Sequence, residues 1–346
     1  MTKSVSWLPI TKEHIEQDKL DEMENNEKDR KLPDLTTLKD PQLFFEWFGG
    51  LLHPKLRDEN GYPVKVVKLA WYQDKFARMK RAVMLKNNKA GVTSSEAICG
   101  DFRTRLLPES AGFDCLLVGQ NQFMADQHLL DLKRDILNSE NAKGWMITNP
   151  QKLGLKEEKS KSRMLYIHNP YNPKKPSRII AIGFSEALAY SWKNVNRLHI
   201  SDPGQNTRKN QVQFFSGLYS RLSNTEGEIK IEGVAGERNG YFYNLCRKLF
   251  HLEDKYQDEQ DFLDPERELI ADKEVQSMET SFETIEIDAD DSVEAGIISR
   301  EWLEYMKGVL SHDEFMRIYY HVFSNPEGAI FGDWKFGDHE SLGLEK

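Results

Sequence analysis

Residues 81–96, RAVMLKNNKAGVTSSE, join an apolar run to a short polar stretch and then to three hydroxyl residues that open a helix. A turn from strand to helix presents backbone N–H groups and the positive end of a helix dipole, which suits a phosphate. The candidate cradle comprises Lys86, Asn88, Lys89, Ala90, Gly91, Val92, Thr93 and Ser94. Gly91 lets the backbone approach closely, and the Thr93 hydroxyl suits Mg²⁺. The usual pattern, G-x-x-x-x-G-K-[ST], has lysine where this chain has Val92, so the loop alone also reads as an ordinary connection.

The second candidate is VNRLHISDPGQN (195–206), an apolar strand ending in Ser201-Asp202. Acids at the carboxyl edge of a parallel sheet hold Mg²⁺ or orient the attacking water in nucleoside triphosphatases. Asp202 is thus the candidate catalytic and metal-linked acid, although the Pro-Gly that follows also suits a plain turn. Third, Trp71, Tyr72 and Gln73 stand just upstream of the loop. A glutamine amide can bond both edges of adenine while an aromatic ring stacks on its face. The same residues also read as an amphipathic helix with its aromatics in the core.

Elements must hold these groups, and the sequence alternates strands with helices in the manner of a doubly wound, parallel α/β sheet. Strands are expected at 64–68, 114–120, 177–183, 228–236 and 282–288, and helices at 94–107, 121–137, 211–223 and from Tyr241. PQLFFEWF before Gly49-Gly50 gives a short amphipathic helix, and SREWLEYMKGVL and SHDEFMRIYYHVF give two more, the last capped by Ser311. Residues 1–39 read as a charged, mobile arm. Residues 138–176 read either as a solvated loop or as a contact with phosphate backbones, through Lys156, Lys159, Lys161, Arg163, Lys174 and Lys175. Asp288, Asp290 and Asp291 read as a solvated strand end rather than a metal site.

With 346 residues, 39% of them hydrophobic and 30% charged, the chain can bury a large core. Nothing resembles a membrane span or a signal-peptide core, so an intracellular protein with no membrane partner is expected. Cys99, Cys115 and Cys246 lack the spacing of a disulfide framework or zinc site. The net charge of −9 is local in origin: seventeen Asp/Glu against three Lys/Arg fall between Glu253 and Glu294. The remainder is mildly basic, which leaves room for a nucleic-acid partner.

The order of these parts resembles the large subunit of viral and phage DNA-packaging terminases. The resemblance rests on the aromatic-Gln pair, the deviant phosphate loop, NQFMA after the second strand, SRIIAIG, the strand ending in acid, and GVAGERNGYFY. It spans about residues 40–325. It implies a P-loop NTPase core of the additional-strand type, a mostly parallel sheet with helices on both faces, followed in that family by a ribonuclease-H-like nuclease. ATP and Mg²⁺ are the implied cofactors. Double-stranded DNA, a portal protein, a small terminase subunit and further copies in a ring are the implied partners, in the host cytoplasm and transiently on the procapsid.

In several members of that family the basic residue precedes the glycine, which casts Lys86 or Lys89 as the phosphate base, with Thr93 on Mg²⁺. By the same resemblance Tyr72 and Gln73 contact adenine, Ser201 and Asp202 are the acidic pair, and Gly233 to Gly236 are the loop that senses the γ-phosphate. The implied division is an ATPase core at 40–252, a completing segment at 253–325 and a tail at 326–346, with no nuclease activity expected. Ser201 replaces the first acid, and GVAG lacks the usual hydroxyl. A helicase-like motor and a non-hydrolysing DNA- or portal-binding scaffold are the other readings.

Overall fold

The computed structural model describes residues 30, 32–57, 59–147, 163–172, 175–184, 192–205, 211–222, 225–238, 240–252 and 282–324. Nearly all of the expected arm, the acidic stretch 253–281, the tail 326–346, and Lys156, Lys159, Lys161 and Lys174 lie outside the described residues.

In chain order the elements begin with α1 (Leu35–Lys39) and α2 (Pro41–Phe48). Asp40 accepts from the Leu43 N–H to start α2, with proline at the first helical position, and Gly49 at φ 92° ends it. The chain then forms β1 (Leu51–Arg57), antiparallel to β2 (Pro63–Val66). There follow α3 (Trp71–Arg78), β3 (Arg81–Lys86) and a composite helix α4, which runs from Val92–Glu96 through a π-helical stretch, Ala97–Phe102, to Arg103–Arg105. Next come β4 (Asp114–Gly119), α5 (Gln122–Leu137), β5 (Met146–Ile147), β6 (Met164–Ile167), β7 (Ser177–Gly183) and β8 (Val195–Ser201). The remaining elements are α6 (Gln211–Tyr219), β9 (Glu228–Gly233), α7 (Gly240–Leu249), β10 (Glu283–Ile287), α8 (Ala289–Glu294), α9 (Arg300–Val309) and α10 (His312–Tyr320).

Eight strands form one sheet in the order β10-β3-β9-β8-β4-β7-β6-β5. β4 runs parallel to both β7 and β8, while β5 and β6 add an antiparallel edge. Every residue of β4 is buried, as a strand covered on both faces requires. β9 stands between β3, which leads into the candidate loop, and β8, which ends at the candidate acid. β9 is thus an inserted strand between the two strands that carry the candidate groups.

Two of the departures from the sequence expectations concern residues that had a chemical reading. Within 138–176, MLYI is not a solvated loop but a wholly buried strand, β6. Asp288 caps α8, accepting from the N–H groups of Asp290 and Asp291.

The chain groups into two compact units. One comprises Met1–Ala82, Gly91–Ser201 and Gln213–Ile231. Its core includes Phe44, Phe45 and Phe48 of α2, Ile98 and Phe102 of α4, and Leu129, Leu132 and Ile136 of α5, with Cys115, Leu117, Ile179 and Ala181 from β4 and β7. The other comprises Val83–Ala90, Asp202–Val212 and Glu232–Lys346. There Ala289, Leu303, Phe315 and Tyr319 pack α8, α9 and α10 together. All three cysteines are buried free thiols.

Candidate nucleotide site

β3 ends at Lys86, and its continuation is anchored by backbone bonds in the second unit. The Asn87 N–H donates to the Ile287 carbonyl (3.1 Å) and the Asn88 N–H to the Ile318 carbonyl (3.0 Å). Ser292 Oγ donates to Asn87 Oδ1 at 2.8 Å. Beyond this anchor the backbone turns left-handed twice, at Lys89 (φ 68°) and Gly91 (φ 70°). Mixed left- and right-handed residues of this kind gather N–H groups into an anion-binding concavity, and a lysine held at positive φ is a local strain of the sort found at functional sites. Asn88, Lys89, Gly91 and Ser94 are exposed, whereas Ala90 and Val92 are buried. Val92 therefore serves the core, at the position where the usual loop puts its lysine.

In the first unit, α4 starts at Val92 and carries Thr93, whose Oγ1 lies 3.5 Å from Ser201 Oγ at the end of β8. A buried charge network ties these two elements together. Arg197 of β8 pairs with Glu96, with Asp101 (2.7 Å) and with Glu228, while His199 Nδ1 lies 2.6 Å from Asp101 Oδ2. Glu96 and Asp101 are five residues apart, a spacing that the π-helical stretch brings to one face of α4. Gly100 leaves room for the guanidinium: a Cβ there would stand 2.0 Å from Arg197 Nη2. Burial opposes ionisation of Asp101, but His199 and Arg197 outweigh it and hold its pKa down at about 2.

In the second unit, Lys86 Nζ lies 2.5 Å from Glu232 Oε2 and 3.5 Å from Asp202 Oδ1. The Glu232 side chain is 0% exposed and that of Asp202 27%. Burial disfavours the Lys86 ammonium, yet the two carboxylates outweigh it and hold its pKa above the ordinary lysine value. Asp202 sits at φ 50°, and its N–H donates to the Glu232 carbonyl at 2.8 Å. Sequence reasoning missed Glu232. The available signal was an acid one residue from the end of EIKIEG, a strand too buried to give it water.

The loop Gly233–Gly236 is buried and packs against the turn that follows Asp202. A Cβ on Gly236 would stand 2.0 Å from the Gly204 carbonyl oxygen, so the two backbones meet only because Gly236 carries no side chain. Gly236 O in turn accepts from the Ser324 N–H (3.0 Å), and the Arg238 N–H donates to Ser324 O (2.7 Å).

Tyr72 is 0% exposed, with its ring set edge-on to Trp71. Gln73 is buried and its Oε1 accepts from the Ala70 N–H, capping α3. The exposed ring is that of Trp71. Of the basic candidates within the described residues, Lys175 is exposed and Arg163 lies 3.6 Å from Asp126.

Among the described residues no three His, Cys, Asp or Glu side chains converge to hold a metal by themselves. The two neutral hydroxyls of Thr93 and Ser201 fit Mg²⁺ as the counter-ion of a nucleotide, completed by phosphate oxygens and water.

No protein-family model matches the chain, and no curated protein does. Solved structures similar to it are large terminases of phages. The Thermus phage P74-26 large terminase ATPase domain is 12% identical over 81% of this chain and 97% of that one, with a TM-score of 0.49. The large terminase of a second thermophilic bacteriophage, in complex with ADP, is 11% identical, over 72% and 49%, with a TM-score of 0.44. The HK97 bacteriophage large terminase is 13% identical, over 79% and 53%, with a TM-score of 0.44. The chain thus spans about half the length of the ADP-bound and HK97 terminases.

Proposed function

We propose that this chain is the ATP-hydrolysing motor domain of a terminase large subunit, driving double-stranded DNA into a viral procapsid. The observation that carries the reading is the contact between the Thr93 hydroxyl and Ser201, which sets the first hydroxyl after the loop against the end of the acid-bearing strand. The inserted strand β9 and the two left-handed residues of the loop support it.

The phosphates rest on the N–H groups of the 86–94 loop. Lys89, exposed, is the base that meets them, because Lys86 is already held by two carboxylates. Thr93 and Ser201 would hold an Mg²⁺ ion brought by the nucleotide, which would supply neutralisation of phosphate charge. Asp202 accepts from the water that attacks in line. Movement of Asp202 reaches Gly236 and Phe242 of α7 through Gly204, and from Gly236 it reaches Ser324.

DNA lies on a basic surface formed outside the acidic segment, and a portal protein, a small terminase subunit and further copies in a ring complete the machine in the host cytoplasm. Turnover stimulated by double-stranded DNA and lost in Asp202→Asn is the expected result. The scaffold reading gains from Ser201, which leaves a neutral group where an acid is usual. A titration that detects no nucleotide binding decides for it.

A further inference from the structure

We propose that Glu232 is a positioning residue for Asp202 that acts through Lys86, an inference that rests on the ATPase reading above. Three observations converge on it. The Glu232 carboxylate is fully buried and lies nearer the Lys86 ammonium than Asp202 does, at 2.5 Å against 3.5 Å. The Glu232 carbonyl fixes the Asp202 backbone through a 2.8 Å bond from its N–H. Asp202 itself stands at φ 50°, in the left-handed region, with that backbone bond fixing its place.

One ammonium thus stands between two carboxylates, and they share it unequally. A carboxylate in a tight, dry ion pair is a poor proton acceptor, because its lone pairs and its charge are already engaged. By taking the closer contact, Glu232 leaves the Lys86–Asp202 pair the longer of the two, with the Asp202 side chain 27% exposed. Ser201 supplies no charge at the end of β8, so this chain draws its second carboxylate from the inserted strand instead.

Glu232→Gln keeps the shape and removes the charge, which sends Lys86 wholly to Asp202. The expected result is a fall in kcat of about tenfold or more, with KM and the dissociation constant of a fluorescent ATP analogue changed by less than about threefold. Lys86→Met in the Glu232→Gln background takes the ammonium away from Asp202 and is expected to recover kcat above that single variant. Glu232→Asp, which keeps the charge, is expected to fall between parent and Glu232→Gln, and it provides a second test should the glutamine variant not fold. Unchanged kcat in folded Glu232→Gln, or a double variant no faster than the single, overturns the proposal while leaving the ATPase reading standing. A parent that binds no nucleotide overturns both.

Discussion

At the scale of single residues, burial separates two lysines that sequence leaves equivalent. Lys86 and Lys89 both precede Gly91, yet one closes a buried ion cluster and the other stands in solvent. Lys89→Ala is expected to weaken nucleotide binding about tenfold with little change in stability, read by a fluorescent-nucleotide titration. Lys86→Ala takes a buried ammonium away from two carboxylates and is expected to cost about 3–5 kcal/mol, read from denaturant unfolding. Asp101 gives a pH signature. Its folded pKa, about 2, lies below its ordinary value of 3.8, so the stability it contributes is present above that ordinary value and is lost as pH falls towards 2. Melting temperatures measured from about pH 5 down to about pH 2 should fall less steeply in Asp101→Asn than in the parent. A slope equal in both proteins removes Asp101 as the source.

At the scale of elements, the sequence was legible wherever a strand is an unbroken apolar run. DCLLVG, SRIIAIG and EIKIEG fold within a residue or a few of where their patterns put them. β1 was not legible, because LLHPKLR mixes proline and charge and becomes a strand only by pairing with β2. The π-helical stretch of α4 was invisible to a 3.6-residue period, and so was the network of Glu96, Asp101 and Arg197 that it assembles. Composition likewise marks Trp71 and Tyr72 as aromatics, while only packing tells which of the two neighbouring rings faces outward. Gly100→Ala pushes a methyl into the Arg197 guanidinium and is expected to destabilise by about 1–3 kcal/mol, measured as a lower denaturant midpoint. An unchanged midpoint would mean that the network yields without cost.

At the scale of the whole molecule, an acidic total conceals an uneven distribution. The acids of 253–294 account for the net charge of −9, and the remainder is mildly basic. If DNA is a partner, neutralising Lys156, Lys159 and Lys161 should weaken binding and flatten its dependence on log salt by about 0.9 for each phosphate that a lysine no longer neutralises. An unchanged slope places those lysines off the interface. The central claim, that this chain turns over ATP in the service of moving DNA, is tested most directly by steady-state ATP hydrolysis with and without double-stranded DNA, in the parent and in Asp202→Asn. The account predicts turnover that DNA raises and that Asp202→Asn reduces at least about a hundredfold. Turnover that is indifferent to both DNA and the Asp202 substitution, or absent at high protein concentration, would contradict it.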